Sequence, residues 1–166
     1  MDLVIREARP GDAAAAIAIL NPIIAAGSYV VFDAPLGEVE ERRYIESLPP
    51  RALFLVAERA DDGVIVGLQS VEPFAAHASA FDHVGVIGTY VDLDNLRRGI
   101  ARRLFDATFV LARRRGFKKL FTYIRVDNSA ALAAYTWHGF SIVGRAERHA
   151  KIGVRYIDEI IVERWL

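Results

Sequence analysis

The chain of 166 residues contains no cysteine, which excludes a disulfide framework, a thiolate metal site and a cysteine nucleophile. It also lacks an excess of either charge. Its 21 Lys and Arg residues balance 21 Asp and Glu residues, so no overall field draws it to nucleic acid or membrane. No apolar run approaches the ~18 residues of a membrane-spanning helix, and residues 1–7 lack the pattern of a signal peptide. These absences favour a cytoplasmic protein without a membrane partner.

One basic cluster, at residues 113–119, falls at the end of a predicted helix. Cations at this end of a helix offset the helix dipole, and no aromatic residues alternate with them as in a nucleic-acid platform. We interpret the cluster as a solvated surface and predict no nucleic-acid partner. No spacing of His, Asp and Glu indicates a metal site either.

The composition that remains is typical of a globular protein: 53% of the residues are hydrophobic and 25% are charged. The length predicts a single domain over residues 1–166. Hydrophobic periodicity and turn residues predict strands at 3–8, 52–58, 64–72, 84–91, 119–126, 140–147 and 155–164, and helices at 12–20, 38–47, 99–115 and 129–137. Asp12 is the predicted N-cap of the first helix, and Pro22 is expected to kink or restart it. This mixed order predicts an α/β fold with helices on both faces of a mixed sheet.

A glycine turn follows the strand that ends at Val91 and opens the helix after it. The first turn of a helix has unpaired N–H groups and a positive dipole end, which together can hold a phosphate. Gly99 permits a close backbone approach, and the small Ala101 keeps the groove open. Positive charge comes from Arg97, Arg98 and Arg102. Taken alone, the segment could also be an ordinary basic loop before an amphipathic helix.

Two polar side chains mark the last predicted helix. Asn128 and Tyr135 are seven residues apart, so they fall within about 20° of each other on a helix, with Ala131 between them. An amide and a phenol on one face could bind a ligand. Asn128 could instead be an N-cap, and Tyr135 could be part of the core.

With Gly139-Phe140 at the expected distance, these segments resemble the GNAT superfamily of N-acetyltransferases, and the element order resembles it over nearly the whole chain. One departure is Leu96, which stands where that motif usually has Gln or Arg. The resemblance implies a mostly antiparallel seven-stranded sheet and a direct acetyl transfer from acetyl-CoA to an amine, without a metal or an acyl-enzyme.

The resemblance also implies roles for the residues. Asn128 would bond the pantetheine arm, and the Tyr135 hydroxyl would protonate the departing thiolate. Backbone groups of Tyr90 and Val91 would pair with pantetheine where two strands splay, and an N–H near Val91 would polarise the thioester carbonyl. The implied cofactor site is Tyr90, Val91, Arg97, Arg98, Gly99, Ile100, Ala101, Arg102, Asn128, Ala131 and Tyr135.

The general base is less well defined, because Val86 stands where the phosphinothricin and amino-acid acetyltransferases usually have a glutamate. Glu72, at the end of a strand, is the predicted base. A solvated strand-end carboxylate is the alternative for this residue. Other candidates are His77, Asp82 and His83.

The acceptor is predicted from the N-terminal half. Asn21, Phe32 and Pro35 resemble the amino-acid acetyltransferase pattern, so Tyr29 and Phe32 could line the acceptor site or simply pack on the core. We expect a small-molecule amine, an amino acid or an analogue, and a possible homodimer. The alternatives are a peptide or protein N-acetyltransferase and a non-catalytic acyl-CoA sensor.

Overall fold

The computed structural model describes all 166 residues and contains seven strands and four α-helices. The strands are β1 (Leu3–Glu7), β2 (Leu53–Arg59), β3 (Ile65–Pro73), β4 (Val84–Val91), β5 (Lys119–Arg125), β6 (Ser141–Ile152) and β7 (Arg155–Trp165). The helices are α1 (Ala13–Ala25), α2 (Glu38–Ser47), α3 (Ile100–Arg114) and α4 (Ser129–Trp137). Short 3-10 turns lie at Pro10–Asp12, Ser79–Phe81 and Leu93–Asn95. No helix is long and apolar enough to cross a membrane.

All strands join one sheet in the order β1-β2-β3-β4-β5-β7-β6. Neighbouring strands are antiparallel except β4 and β5, which are parallel. The predicted fold class, a mostly antiparallel seven-stranded sheet flanked by helices, is therefore confirmed.

The helices cover both faces of this sheet, because successive side chains of a strand point to opposite faces. Phe54 and Val56 of β2 pack with α1 and α2, while Leu53 and Leu55 pack with residues of α3. Tyr135 of α4 joins the cluster on the α3 side. We call these the α1/α2 face and the α3/α4 face.

Three local predictions differ from the structure. Helix α1 continues through Pro22 to Ala25, because the buried side chains of Ile23 and Ile24 hold its last turn against the core. Asp12 occupies the N-cap position, but its carboxylate binds Arg6 and the backbone N–H of Arg9 instead of the helix. Strand β6 extends to Ile152, past an irregularity between Ala146 and Ala150, because it stays paired with the long strand β7.

Gly67 of β3 sets the distance between the sheet and α3. A Cβ atom at this position would lie 2.6 Å from Ile100 Cγ2 and 3.2 Å from Leu104 Cδ1. Both of these side chains are fully buried. Since protein cores are close-packed, an added methyl group must push the start of α3 away from the sheet.

We therefore expect Gly67→Ala to lower the free energy of unfolding by about 1–3 kcal/mol through overpacking. Gly11→Ala is the control, because nothing lies within 4 Å of its added Cβ; we expect a change within about 0.5 kcal/mol. Urea unfolding measures both values. Equal stabilities of the two variants would contradict the close approach of α3.

Candidate active site

A gap opens in the sheet where β4 and β5 part. The two strands pair only from Val84 to Val86 and from Lys119 to Phe121. Beyond these residues β4 runs on to Val91 and β5 to Arg125 without pairing with each other. A cavity of about 920 Å³ lies at this gap, bordered by residues 88–91 of β4 and 122–125 of β5. The splay expected from the resemblance is present.

The N–H and C=O groups of β4 point alternately to the two edges of the strand. The carbonyl of Val84 accepts a bond from Phe74 N–H (3.1 Å), and Asp92 N–H donates to the carbonyl of Val66 (3.1 Å). The register with β3 is regular, and in an antiparallel pair every second residue bonds to the neighbouring strand. The N–H and C=O groups of residues 84, 86, 88, 90 and 92 therefore bond to β3. The N–H and C=O groups of Thr89 and Val91 face the gap instead.

This register corrects one predicted contact. The backbone of Tyr90 is committed to β3, so it cannot pair with a ligand in the gap. Thr89 takes that place, while the prediction for Val91 agrees with the geometry. The side chain of Tyr90 still lines the cavity, with its hydroxyl folded back over Gly88.

The N-terminus of α3 forms the outer end of the cavity. Gly99 is its N-cap, at φ 79°, and offers no side chain to cap the helix. The first bond of the helix runs from Arg103 N–H to the carbonyl of Gly99 (3.2 Å), so the N–H groups of residues 100–102 have no acceptor within the helix. These free donors and the helix dipole suit an anion. A side chain on Gly99 would project into open space.

The basic side chains lie around this helix start. Arg97 and Arg102 line the cavity, whereas Arg98 is exposed outside it. Arg102 lies 3.9 Å from Asp106 and above the ring of Trp137 at 5.6 Å. Leu96 lines the cavity and is 45% exposed. Its side chain carries no charge, so the positive character here comes from the backbone and from the arginines.

Asn128 has a structural role that the sequence left open. Its side-chain oxygen accepts a bond from Ala131 N–H (3.0 Å), which makes it the N-cap of α4, and its amide donates to the carbonyl of Tyr29 (3.2 Å). The oxygen thus caps the helix, and the amide ties the start of α4 to the loop at Tyr29. Asn128 itself lines the cavity, and the small side chains of Ala131 and Ala134 leave room beside the gap.

Tyr135 reaches the cavity from α4 as predicted. Its hydroxyl lies 2.9 Å from Thr89 Oγ1, and Thr89 Oγ1 accepts a bond from the amide of Gln69 (2.7 Å). Burial raises the pKa of Tyr135, while the bond to Thr89 opposes the rise. The rings of Phe105 and Phe140 pack edge-on against the Tyr135 ring. Nothing in the sequence pattern pointed to Thr89 or Gln69, because their pairing depends on strand register.

Glu72, the predicted base, lies outside the cavity. It shares the α1/α2 face with Val86, its partner across β3 and β4. Tyr44 donates a 2.5 Å hydrogen bond to its carboxylate. Glu72 does not line the cavity and its carboxylate already accepts a bond from Tyr44, so this geometry gives no support to its assignment as the base. The other candidates, His77, Asp82 and His83, do not line the cavity either.

A different carboxylate, Glu159 of β7, does line the cavity. It is 6% exposed and accepts no hydrogen bond within the protein; His149 Nε2 lies 4.0 Å from its carboxylate. Burial raises its pKa, opposed by His149 and Arg125. The sequence held one signal that was missed: Ile157, Glu159 and Ile161 share one face of the strand, so a charge interrupts an apolar row.

The loop between α1 and α2 covers the cavity from the α1/α2 face. Arg125, 4% exposed and bonded to both oxygens of Asp127, also donates to the carbonyl of Val30 (2.9 Å). Asn21 bonds both backbone groups of Leu36, which fixes the other end of the loop. Tyr29 and Phe32 line the cavity, as predicted for the acceptor side.

Comparison with known proteins identifies the class. The sequence matches the family described as "Acetyltransferase (GNAT) domain" over residues 5–161, so the chain belongs to this family. A mycothiol acetyltransferase from Kocuria rhizophila is 29% identical over 107 residues, which are 63% of this chain and 35% of that protein. The chain thus spans only about a third of the length of that relative.

Solved structures share the fold along nearly the whole chain. A ribosomal-protein-alanine N-acetyltransferase from Brucella melitensis is 26% identical with a TM-score of 0.88, covering 98% of this chain and 99% of that one. A phosphinothricin acetyltransferase from Sinorhizobium meliloti in complex with acetyl-CoA is 18% identical with a TM-score of 0.89, covering 100% and 89%. The family match and these structures together identify the chain as a GNAT acetyltransferase domain with the fold of this family along nearly its whole length.

Substitution of Gly99 tests the anion site at α3. In Gly99→Glu a carboxylate would stand among the free N–H groups, so we expect loss of acetyl-CoA binding in calorimetry. Gly63→Glu is the matched control, because Gly63 has a similar φ of 73°, also faces open space and lies in the β2–β3 turn. Both variants carry about 1–2 kcal/mol of backbone strain, so only the position differs. Undiminished binding by Gly99→Glu would exclude this helix start as the phosphate site.

Proposed function

We propose that this protein transfers the acetyl group of acetyl-CoA to the primary amine of a small molecule, the class that includes amino acids and their analogues. The observation that carries the proposal is the two-sided gap between β4 and β5. Tyr135 approaches the gap from the α3/α4 face. On the other face, the loop of residues 29–32 covers the cavity. Residues 1–166 would act as one domain.

The cofactor would be held by groups that the fold leaves without partners. The pyrophosphate would rest on the N–H groups of residues 100–102, with Arg97 and Arg102 beside them. The pantetheine arm would pair with the backbone of Thr89 and Val91 and pass between the small side chains of α3 and α4. These groups fit acetyl-CoA because the donors of the helix start and the free backbone groups of β4 border the same cavity.

Acetyl-CoA supplies an acetyl group activated as a thioester. The Val91 N–H is the donor best placed to stabilise negative charge on the carbonyl oxygen, because it faces the gap and needs no reorganisation. Tyr135 would deliver the proton that the departing thiolate needs. Its raised pKa keeps the phenol protonated at neutral pH.

Thr89 would orient the proton of Tyr135. Gln69 donates its amide hydrogen to Thr89 Oγ1, which leaves the hydrogen of the Thr89 hydroxyl free to point to the Tyr135 oxygen. The hydrogen of Tyr135 is then directed toward the gap rather than back into the protein. This arrangement supports the acid role that the resemblance implies.

Removal of the Tyr135 hydroxyl tests its role as the acid. We expect Tyr135→Phe to lower kcat by about a hundredfold or more and to leave the Kd for acetyl-CoA unchanged, because the hydroxyl would act only on the departing thiolate. Tyr156→Phe is the control, since Tyr156 is exposed and lies outside the cavity. Steady-state kinetics and calorimetry give the two constants. An undiminished kcat would show that Tyr135 is not the acid.

A peptide or protein acceptor is the second candidate, and the similarity to the Brucella enzyme, named for a ribosomal protein, favours it. The loop contacts of Arg125 and Asn128 oppose it, because they close the face on which an extended chain would have to lie. A non-catalytic sensor is disfavoured by the family and by the intact Tyr135–Thr89 pair. The cytoplasmic location and the homodimer stay predictions.

Thiol release from acetyl-CoA tests the proposed function directly. The wild-type protein would be mixed with free amino acids, their decarboxylated amines, polyamines and peptides with free N-termini. We expect release with small amines and none with the peptides. Release with peptides alone would replace the proposal by the second candidate, and release with no amine would refute transfer to nitrogen.

A further inference from the structure

Resting on the proposed function, we infer that Glu159 is the acceptor-amine carboxylate of this site: it binds the ammonium group of the acceptor and takes its proton. The acceptor it selects is a cationic amine with an apolar body and no carboxylate beside the nitrogen. Glu72, on the same face of the sheet, does not line the cavity.

The first support for the inference is the position of Glu159 in the sheet. Glu159 pairs with Arg125 across β5 and β7, so both side chains lie on the α1/α2 face of the sheet. This is the face that the Tyr29–Phe32 loop covers, and it is opposite to the face from which Tyr135 approaches. The cavity is common to Glu159 and Tyr135, so an amine and a thioester could meet between them.

Glu159 also lacks the partners that a structural carboxylate would have. Buried charges are normally paired and hydrogen-bonded, because desolvation without compensation is costly. Yet Glu159 accepts no hydrogen bond within the protein, and its one ion-pair contact is the His149 Nε2 atom at 4.0 Å, which carries charge only when the imidazole is protonated. The His149 ring also stacks on Tyr123, with the ring centroids 4.8 Å apart. Such an uncompensated carboxylate, opening into a cavity, is suited to a cation that arrives from outside.

The neighbouring charges define what kind of amine would fit. Arg125 is the closest arginine across the sheet, but both of its ends are used, by Asp127 and by the carbonyl of Val30. Arg125 is therefore held by contacts within the protein instead of standing free for the carboxylate of an amino acid. The rings of Tyr29, Phe32, Tyr90 and Tyr123 line the same cavity and offer apolar surface to the rest of the molecule.

The proposed step balances as follows. One proton passes from the ammonium nitrogen to the Glu159 carboxylate, and the freed lone pair forms the bond from nitrogen to the acetyl carbon. The carbon–sulfur bond breaks, its electron pair leaves on sulfur, and the sulfur takes the proton of Tyr135. The nitrogen loses a second proton, which restores the phenol, and Glu159 releases its proton to solvent.

Binding and turnover together test the inference, with 2-phenylethylamine as the probe amine and L-phenylalanine as its carboxylated counterpart. Calorimetry on the protein saturated with coenzyme A gives the amine Kd without any reaction. We expect Glu159→Gln to raise that Kd by about tenfold to a hundredfold and to lower kcat, with the Kd for acetyl-CoA unchanged. Glu159→Asp should restore part of both. Wild-type protein should bind the amine more tightly than the amino acid.

Two further measurements separate this role from a structural one. Glu159→Gln removes an uncompensated buried charge, so we expect its Tm to rise, by about 2–4 °C, while its activity falls. Glu163→Gln is the matched control on the same face of β7, where Glu163 pairs with Lys119 outside the cavity; its amine Kd and kcat should equal those of the wild type.

The outcomes distinguish the two proposals. Equal amine Kd for the wild type and Glu159→Gln, no binding of 2-phenylethylamine, or a preference for L-phenylalanine would overturn the role of Glu159, even where the wild type releases thiol with other amines. Binding that depends on Glu159 without thiol release from any amine would refute acetyl transfer and leave the ammonium site standing.

Discussion

The short pairing of β4 with β5 is the constraint on which the rest of the structure depends. After three residues the strands part, and the backbone groups of Thr89 and Val91 are left facing a gap instead of a neighbouring strand. Unpaired backbone groups are costly inside a protein unless something else bonds them. The gap therefore creates both the binding site and the reason for an extended, amide-bearing ligand to enter it.

The same gap divides the work between the two faces of the sheet. Helices α3 and α4 cover one face and bring the open helix start and Tyr135 to the cofactor side. On the other face, loop residues 29–32 bring aromatic rings, and strand β7 brings Glu159, to the part of the cavity proposed for the acceptor. Since strand side chains alternate between faces, a single interruption of the sheet lets groups from both sides act on one point.

Much of the fold and part of the site were predictable from the sequence, because they depend on local signals. The order of strands and helices and the glycine that begins α3 followed from periodicity and spacing, while the place of Tyr135 at the cavity followed from the family resemblance. The errors arose where strand register decides the outcome. Tyr90 was predicted to bind through its backbone, but register gives that backbone to β3. Glu72 was predicted as the base, but the sheet places it against Tyr44, while Glu159, which the sequence analysis did not single out, lines the cavity.

Amide hydrogen exchange in β4, followed by NMR, tests the central claim most directly. In the free protein the amides of Gly88 and Tyr90 should be protected by their bonds to β3, while those of Thr89 and Val91 should exchange faster. Coenzyme A should slow exchange at Thr89 and Val91 and leave Gly88 and Tyr90 unchanged. Protection of Thr89 and Val91 that already equals that of Tyr90 without ligand, or that does not change on binding, would contradict the account.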